Sequence, residues 1–391
     1  MFVRRLALAL ACLNSLSANA ANAADTAAVK AIVDRALQPV IAQYGVPGMA
    51  VAVTVDGKTM FFNYGLAATT PARPVTEHTL FELGSISKTF TATLATHAEA
   101  RGKLALDDHP GKYIAALKGS PLDHATLREL GTYTAAGLPL QVPDEVTNDA
   151  QMLAWLRAWQ PNAAPGAQRR YSNPSIGLLG RATAVALKSD FGDALEQQLF
   201  PAFGLRHTYV RVPASAMLDY AWGHNASGKP VRVKPGVFDV ESYGVKSSSA
   251  DLIRYLQAQM EPAHLQEPLR SAVEGTQIGY YTVGGMVQGL GWEQYRGPLS
   301  LQRLLDGNSA GISQQANPVT RLAPALAPPG TFFNKTGSTG GFSAYAAFIP
   351  QRRIAIVMLA NKSFPVPPRV TAAYAIIDQL APFTQPEAAS Q

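Results

Sequence analysis

Three short segments constrain this chain more than anything else in its 391 residues: Ser85-Ile86-Ser87-Lys88, Tyr171-Ser172-Asn173 and Lys335-Thr336-Gly337. Each is common by itself. In this order, 86 and 164 residues apart, they form a set. A fold that uses them must bring together a serine hydroxyl, two candidate bases and a cation from widely separated parts of the chain.

A serine hydroxyl is a poor nucleophile until a neighbour accepts its proton. Phe81-Glu82-Leu83-Gly84 leads into a helical stretch that begins with Ser85. Residues three apart share a helix face, so Lys88 is expected beside Ser85 in the first turn. The helix N-terminus adds free N–H groups that favour an oxyanion. The alternative for Ser85 alone is an ordinary helix cap. Tyr171 follows the turn signal Pro165-Gly166. It is a proton acceptor if nearby lysines hold its phenol in the charged form. Asn173 offers an amide to Lys88 and to a substrate amide. Lys335 suits a substrate carboxylate and also lowers the Tyr171 pKa. The glycines after it allow close backbone approach, and the Ser338 N–H is a second oxyanion donor opposite that of Ser85.

The set resembles the serine β-lactamase and penicillin-binding superfamily. Its middle member, Tyr-Ser-Asn rather than Ser-Asp-Asn, resembles class C β-lactamases in particular. Further stretches that fit are Leu83–Phe90, Gly137-Leu138-Pro139-Leu140-Gln141-Val142-Pro143, Tyr243-Gly244-Val245-Lys246 and Met358-Leu359-Ala360-Asn361-Lys362. The resemblance implies Ser85 as acylated nucleophile, with Lys88 and Tyr171 as the general-base machinery. It implies Gln141 and Asn173 against the amide side chain of a β-lactam, and Tyr243 as an apolar wall. Lys335, Thr336 and Gly337 would face the substrate carboxylate, with Ser338 in the oxyanion hole. Arg369 matches a basic position near the carboxylate pocket, while Val366 stands where many relatives carry asparagine. No cofactor or metal is implied.

Met1-Phe2-Val3-Arg4-Arg5 and the apolar run Leu6–Leu13 read as a secretory signal peptide. Ala21-Asn22-Ala23 is the favoured cleavage site, and the run is too short to span a membrane. A periplasmic protein is expected. The only cysteine, Cys12, lies inside this segment, so disulfide and thiol chemistry are excluded from the mature chain. Losing Arg4 and Arg5 lowers the formal charge from +6 to +4. No Lys/Arg block suggests nucleic acid, and a monomer is expected.

The pattern along the chain predicts an α+β fold. It comprises an α/β domain with a central, mostly antiparallel sheet flanked by helices, and an all-helical domain. The expected division is 1–23 signal peptide, 24–80 and 191–391 α/β domain, and 81–190 helical domain. A helix is expected over 25–44, interrupted or kinked at Pro39. Asp56-Gly57 predicts a hairpin between strands 49–54 and 58–64. The last strands are 332–335, 342–349 and 354–360, with a closing helix over 370–380. Residues 210–236 read as a loop over the cleft, and 322–330 as a flexible connection.

Other readings are weaker. Gly307-Asn308-Ser309-Ala310-Gly311 matches the nucleophile elbow of α/β-hydrolases, but that elbow needs a preceding strand, so a polar loop is expected. The seven histidines (His78, His97, His109, His124, His207, His224, His264) form no His-x-His or His-x-x-x-His pair, which disfavours a zinc enzyme. A D-Ala-D-Ala peptidase or a Ser-x-x-Lys esterase shares the same motif set. A non-catalytic penicillin receptor or cell-wall binding module would keep the cleft without turnover, and the complete set argues against it.

Overall fold

A computed structural model describes residues 25–135 and 137–383. The expected signal peptide and Cys12 lie outside these residues. The chain opens with helix α1 (25–44), which runs through Pro39 without a break in its helical assignment. Strands β1 (Gly48–Val55) and β2 (Lys58–Thr69) follow as a hairpin. Asp56 and Gly57 both have positive φ, the backbone that a two-residue turn of this hand needs.

Ten strands form one sheet, antiparallel throughout. After the hairpin come β3 (Ala72–Pro74), β4 (Ile278–Val283), β5 (Met286–Gln288), β6 (Glu293–Tyr295) and β7 (Thr320–Leu326). The last three are β8 (Phe332–Ser338), β9 (Ser343–Ile349) and β10 (Ile354–Ala360). The order across the sheet is β7-β4-β5-β6-β8-β9-β10-β1-β2-β3. The register Met49↔Ala360 joins the first and last parts of the chain in one sheet.

The continuous apolar sequences of β1 and β10 follow from cover on both faces, because side chains alternate along a strand. In β1, Ala50 and Ala52 enter one core, with Phe90, Trp292, Phe348 and Val357. Val51 and Val53 enter the other, with Val33 and Leu37 of α1 and Ile376 and Ile377 of the closing helix Val366–Leu380. Each such fully buried aliphatic side chain contributes about 1.5–3 kcal/mol. A third cluster holds Leu104, Leu127, Leu130, Ile176 and Leu179 in the helical part of the chain.

Two elements position the site from the helical side. Helix α2 (Ser87–Ala100) is buried nearly all round. A helix of that kind carries apolar or internally satisfied residues on every face. Its threonines meet this by bonding back to the preceding turn: Thr89 to the Ile86 carbonyl at 2.8 Å, Thr93 to Thr89 at 2.8 Å and Thr96 to Ala92 at 3.0 Å. Helix α3 (Asn173–Leu187) starts where Ser172 accepts the Ser175 N–H at 3.1 Å, with Pro174 in the first turn.

Two expectations are corrected. Residues 322–330 are not merely a connection, since 320–326 form the edge strand β7, whose Pro324 is tolerated because one side of an edge strand has no partner. Ser85 is not in an α-helix. It lies in a 3₁₀ turn, Gly84–Ile86, and the α-helix starts at Ser87.

Candidate active site

That turn exists because of a close approach. Gly84 has φ +52, and a Cβ on it would lie 2.4 Å from the Ser338 backbone nitrogen. A Cβ on Gly337 would lie 1.9 Å from the Leu83 carbonyl oxygen. Only glycine at both positions lets the Ser85 turn press against the end of β8. The backbones of Ser85 and Ser338 are thereby brought close together, and both residues line the cleft.

Lys88 is fully buried and donates to Ser85 Oγ at 3.1 Å and to the Ser242 carbonyl at 2.7 Å. Its Nζ lies 5.1 Å from the centre of the Tyr171 ring. Lys335 Nζ lies 5.0 Å from the same ring centre. Strand alternation accounts for the placement: Phe333 packs in the core beside α2, so Lys335 and Gly337 share its face. The Tyr171 hydroxyl is buried, and the polar groups that act on it are Ser85, Lys88 and Lys335.

Electrostatics separate the three groups. Burial pushes Lys88 down to about 8, with the Lys335 charge adding to the effect and Tyr171 opposing it. Burial alone would raise the Tyr171 phenol, but the charges of Lys335 and then Lys88 outweigh it and hold the phenol below its ordinary value. Burial would likewise lower Lys335, but Glu293 and Tyr171 raise it instead.

Glu293 and Arg169 were not singled out from sequence. Lys335 Nζ meets Glu293 Oε1 at 3.5 Å, and Arg169 reaches the same oxygen at 3.6 Å. The Arg169 guanidinium lies over Tyr171 at 5.4 Å and donates to Gln288 Oε1 at 2.6 Å. The double-arginine sequence before Tyr171 (Arg169-Arg170) was the one available signal. A lone glutamate in a short strand carries none.

The cleft has two arms that meet at Ser85, Tyr171, Ser313 and Ser338. The charged arm, about 180 Å³, is lined by Lys335, Thr336, Glu293, Arg169 and Val366, and closed by Gly307–Ser309 and Ile312. The other, about 340 Å³, holds Leu140, Gln141, Asn173, Tyr243, Val233 and Thr339. Asn173 Nδ2 donates to Gln141 Oε1 at 2.9 Å rather than meeting Lys88. Its own Oδ1 is buried and, among the described residues, unpartnered. Arg369 lines neither arm. Its guanidinium is spent on the carbonyls of Gly337 (2.6 Å), Ala344 (3.3 Å) and Phe364 (2.5 Å) and on Ser338 Oγ (3.0 Å), which makes it a brace for the end of β8. Ser309 caps a short helix, Ala310–Gln314, and helix Leu301–Gly307 stands where a nucleophile elbow needs a strand.

A serine hydroxyl bonded to a buried lysine, beside a phenol within reach of two cations, is the arrangement of a serine acyl-transferase of the Ser-x-x-Lys type. The family model Beta-lactamase matches residues 33–381, and the chain belongs to that family, as a class C serine β-lactamase. The beta-lactamase of Pseudomonas fluorescens is 48% identical over 353 residues, which is 90% of this chain and 99% of that protein. A class C beta-lactamase solved in complex with cefoxitin superposes with a TM-score of 0.88 at 44% identity, over 91% of this chain and 99% of the other. A beta-lactamase/D-alanine carboxypeptidase from Pseudomonas syringae also gives a TM-score of 0.88, at 46% identity over 90% and 99% of the two chains.

Proposed function

We propose that this enzyme hydrolyses the β-lactam ring of cephalosporins and penicillins through an acyl-enzyme on Ser85, and so confers resistance to them. The observation that carries the reading is the Ser85–Lys88 hydrogen bond of 3.1 Å beside a phenol flanked by Lys88 and Lys335. Tyr171, as phenolate, takes the Ser85 proton while Ser85 Oγ bonds to the lactam carbonyl carbon. The developing oxyanion rests on the N–H groups of Ser85 and Ser338. The C–N bond then breaks, and the lactam nitrogen takes the proton back from Tyr171. Water, deprotonated by the same phenolate, cleaves the ester, and its proton returns to Ser85.

Lys335, Thr336 and Gly337 receive the substrate carboxylate at the end of β8, which Arg369 braces. Gln141 and Asn173 receive the side-chain amide, and Tyr243 walls that arm. The helical segment 81–190 supplies one side of the cleft and the segments 24–80 and 191–391 the other. Residues 1–23 direct the chain to the periplasm, where it acts as a monomer. Among the described residues no helix is long and apolar enough to cross a membrane.

The test is intact-protein mass together with steady-state hydrolysis of a chromogenic cephalosporin. Rapid turnover with a transient adduct on Ser85 is expected. Ser85→Ala should lower kcat by roughly 10⁴-fold or more and give no adduct. The relative from Pseudomonas syringae, whose name carries both activities, gives weight to a D-alanine carboxypeptidase as second reading. A stable adduct with little turnover, and release of D-alanine from a peptide, would favour it.

A further inference from the structure

Glu82 lies three residues before Ser85, is 1% exposed and lines neither arm of the cleft. Its backbone pairs with Lys246, but the Lys246 ammonium donates to the Val210 carbonyl at 2.9 Å. Three uncharged donors hold the carboxylate. The Tyr220 hydroxyl donates to Oε1 at 2.5 Å, the Val233 N–H to Oε1 at 2.7 Å, and the Thr339 hydroxyl to Oε2 at 2.5 Å. A buried carboxylate is costly unless it is fully bonded, and an apolar residue would fill the same space at lower cost. Such departures from an apolar core concentrate at functional places.

Tyr220 and Val233 flank a short two-stranded ladder, Gly223–His224 with Pro230–Val231, and Thr339 stands just past the end of β8, where the His224 N–H reaches the Gly341 carbonyl at 3.1 Å. Val233 and Thr339 both line the amide arm, where Gln141, Asn173 and Tyr243 also stand. Thr339 directly follows Ser338, and the Tyr220 ring carries the Arg232 guanidinium at 3.8 Å. One side chain therefore ties the loop that walls the amide arm to the end of β8, from the segment that leads into the nucleophile.

We propose that Glu82 is a positioning residue that sets the width of the amide arm, and with it the selectivity for the size of the substrate's acylamino side chain. The proposal rests on the function given above. With the carboxylate gone, the Val233 segment and the Thr339 turn separate, and a bulky side chain gains room while a small one loses contact.

The experiment compares kcat/KM for two cephalosporins that share a nucleus and differ only in the bulk of that side chain. Glu82→Ala should raise the bulky-to-small ratio roughly tenfold, and Tyr220→Phe and Thr339→Val about threefold each, the scale of lost hydrogen bonds. Glu82→Gln should stay near wild type, because the Thr339 hydroxyl can turn to accept from the new amide. A uniform loss with an unchanged ratio would overturn the proposal and leave Glu82 a purely structural residue. Should Glu82→Ala fail to fold, the two hydroxyl deletions carry the test alone. Wild-type protein that turned over neither compound would overturn the function itself, whereas turnover with an invariant ratio in all variants overturns Glu82 only.

Discussion

The helical wall of the cleft and its sheet wall each present one buried lysine to Tyr171, and the two titrate in opposite directions. Lys88 bonds only to a hydroxyl and a carbonyl, so desolvation prevails and brings it to about 8. Lys335 is also removed from water, but Glu293 stands 3.5 Å away and raises it. One residue type at equal depth thus gives a proton that can move near neutral pH and a cation that stays fixed. The carboxylate beside one lysine and not the other makes the difference. Arg169, sharing Glu293 with Lys335, keeps that carboxylate in place.

Replacing each lysine by an apolar residue of similar length is the strongest way to break this contrast. Lys88→Met should lower kcat/KM roughly 10³-fold, the scale of lost acid–base assistance. It should also raise stability by about 0.5–2 kcal/mol, because a cation that burial disfavours has gone. Lys335→Met should lower kcat/KM roughly 10²-fold for carboxylate-bearing lactams and far less for a neutral ester. Its stability should fall by about 1–3 kcal/mol, since buried Glu293 loses a partner. Thermal denaturation and paired kinetics check both. Stability changes of the same sign, or equal kinetic losses on both substrate types, would dissolve the contrast.

The pH dependence sharpens it. Between about 8 and the ordinary lysine value of 10.5, the unfolded chain holds a proton that folded Lys88 has released, so stability rises with pH in that window. Lys335 behaves oppositely: its contribution is complete below 10.5 and is lost as pH climbs through its raised folded value. For catalysis, loss of the Lys88 charge removes one of the two cations that face the reacting Ser85 and Tyr171. A plot of kcat/KM should therefore fall through an apparent pKa near 8 that belongs to the coupled set. A rise through the same pH would instead make neutral Lys88 the base.

The segments around Ser85, Tyr171 and Lys335 stood out because three motifs, each common alone, occur together in one order. The central strands were legible because both faces of the sheet are covered there, leaving unbroken apolar runs such as 354–360. What escaped is what only tertiary contact creates. Glu293 and Lys335 lie 42 positions apart and meet because β6 and β8 are neighbours. Arg369 read as a basic residue near the carboxylate pocket, yet the helix that carries it turns it inward to five protein oxygens. Residues 322–330 read as a connection, although 322–326 belong to a strand, because proline and alanine give no strand period and an exposed edge demands none. The 3₁₀ turn at Ser85 was hidden because a Gly-Ser start reads equally as a helix cap. Only contact with Ser338 decides it.

The smallest expected effect concerns Ser309, which lines the charged arm within a Gly-x-Ser-x-Gly sequence. Its side chain serves the Ile312 N–H at 3.4 Å as a helix cap, and among the described residues Lys88 bonds to Ser85 rather than to it. Ser309→Ala should cost about 1 kcal/mol of stability at most, in line with a lost cap on a short helix. It should change kcat by less than roughly threefold, because no transition-state contact is removed. The lysine that burial brings toward neutrality stands on the helical wall beside Ser85, so a serine on the charged side shares its arm with the paired Lys335 and Glu293 and not with that lysine. A tenfold or greater loss of kcat, with the fold intact by circular dichroism, would mean that the sheet side of the cleft supplies proton chemistry as well as charge, and the division of labour between the two lysines would fall.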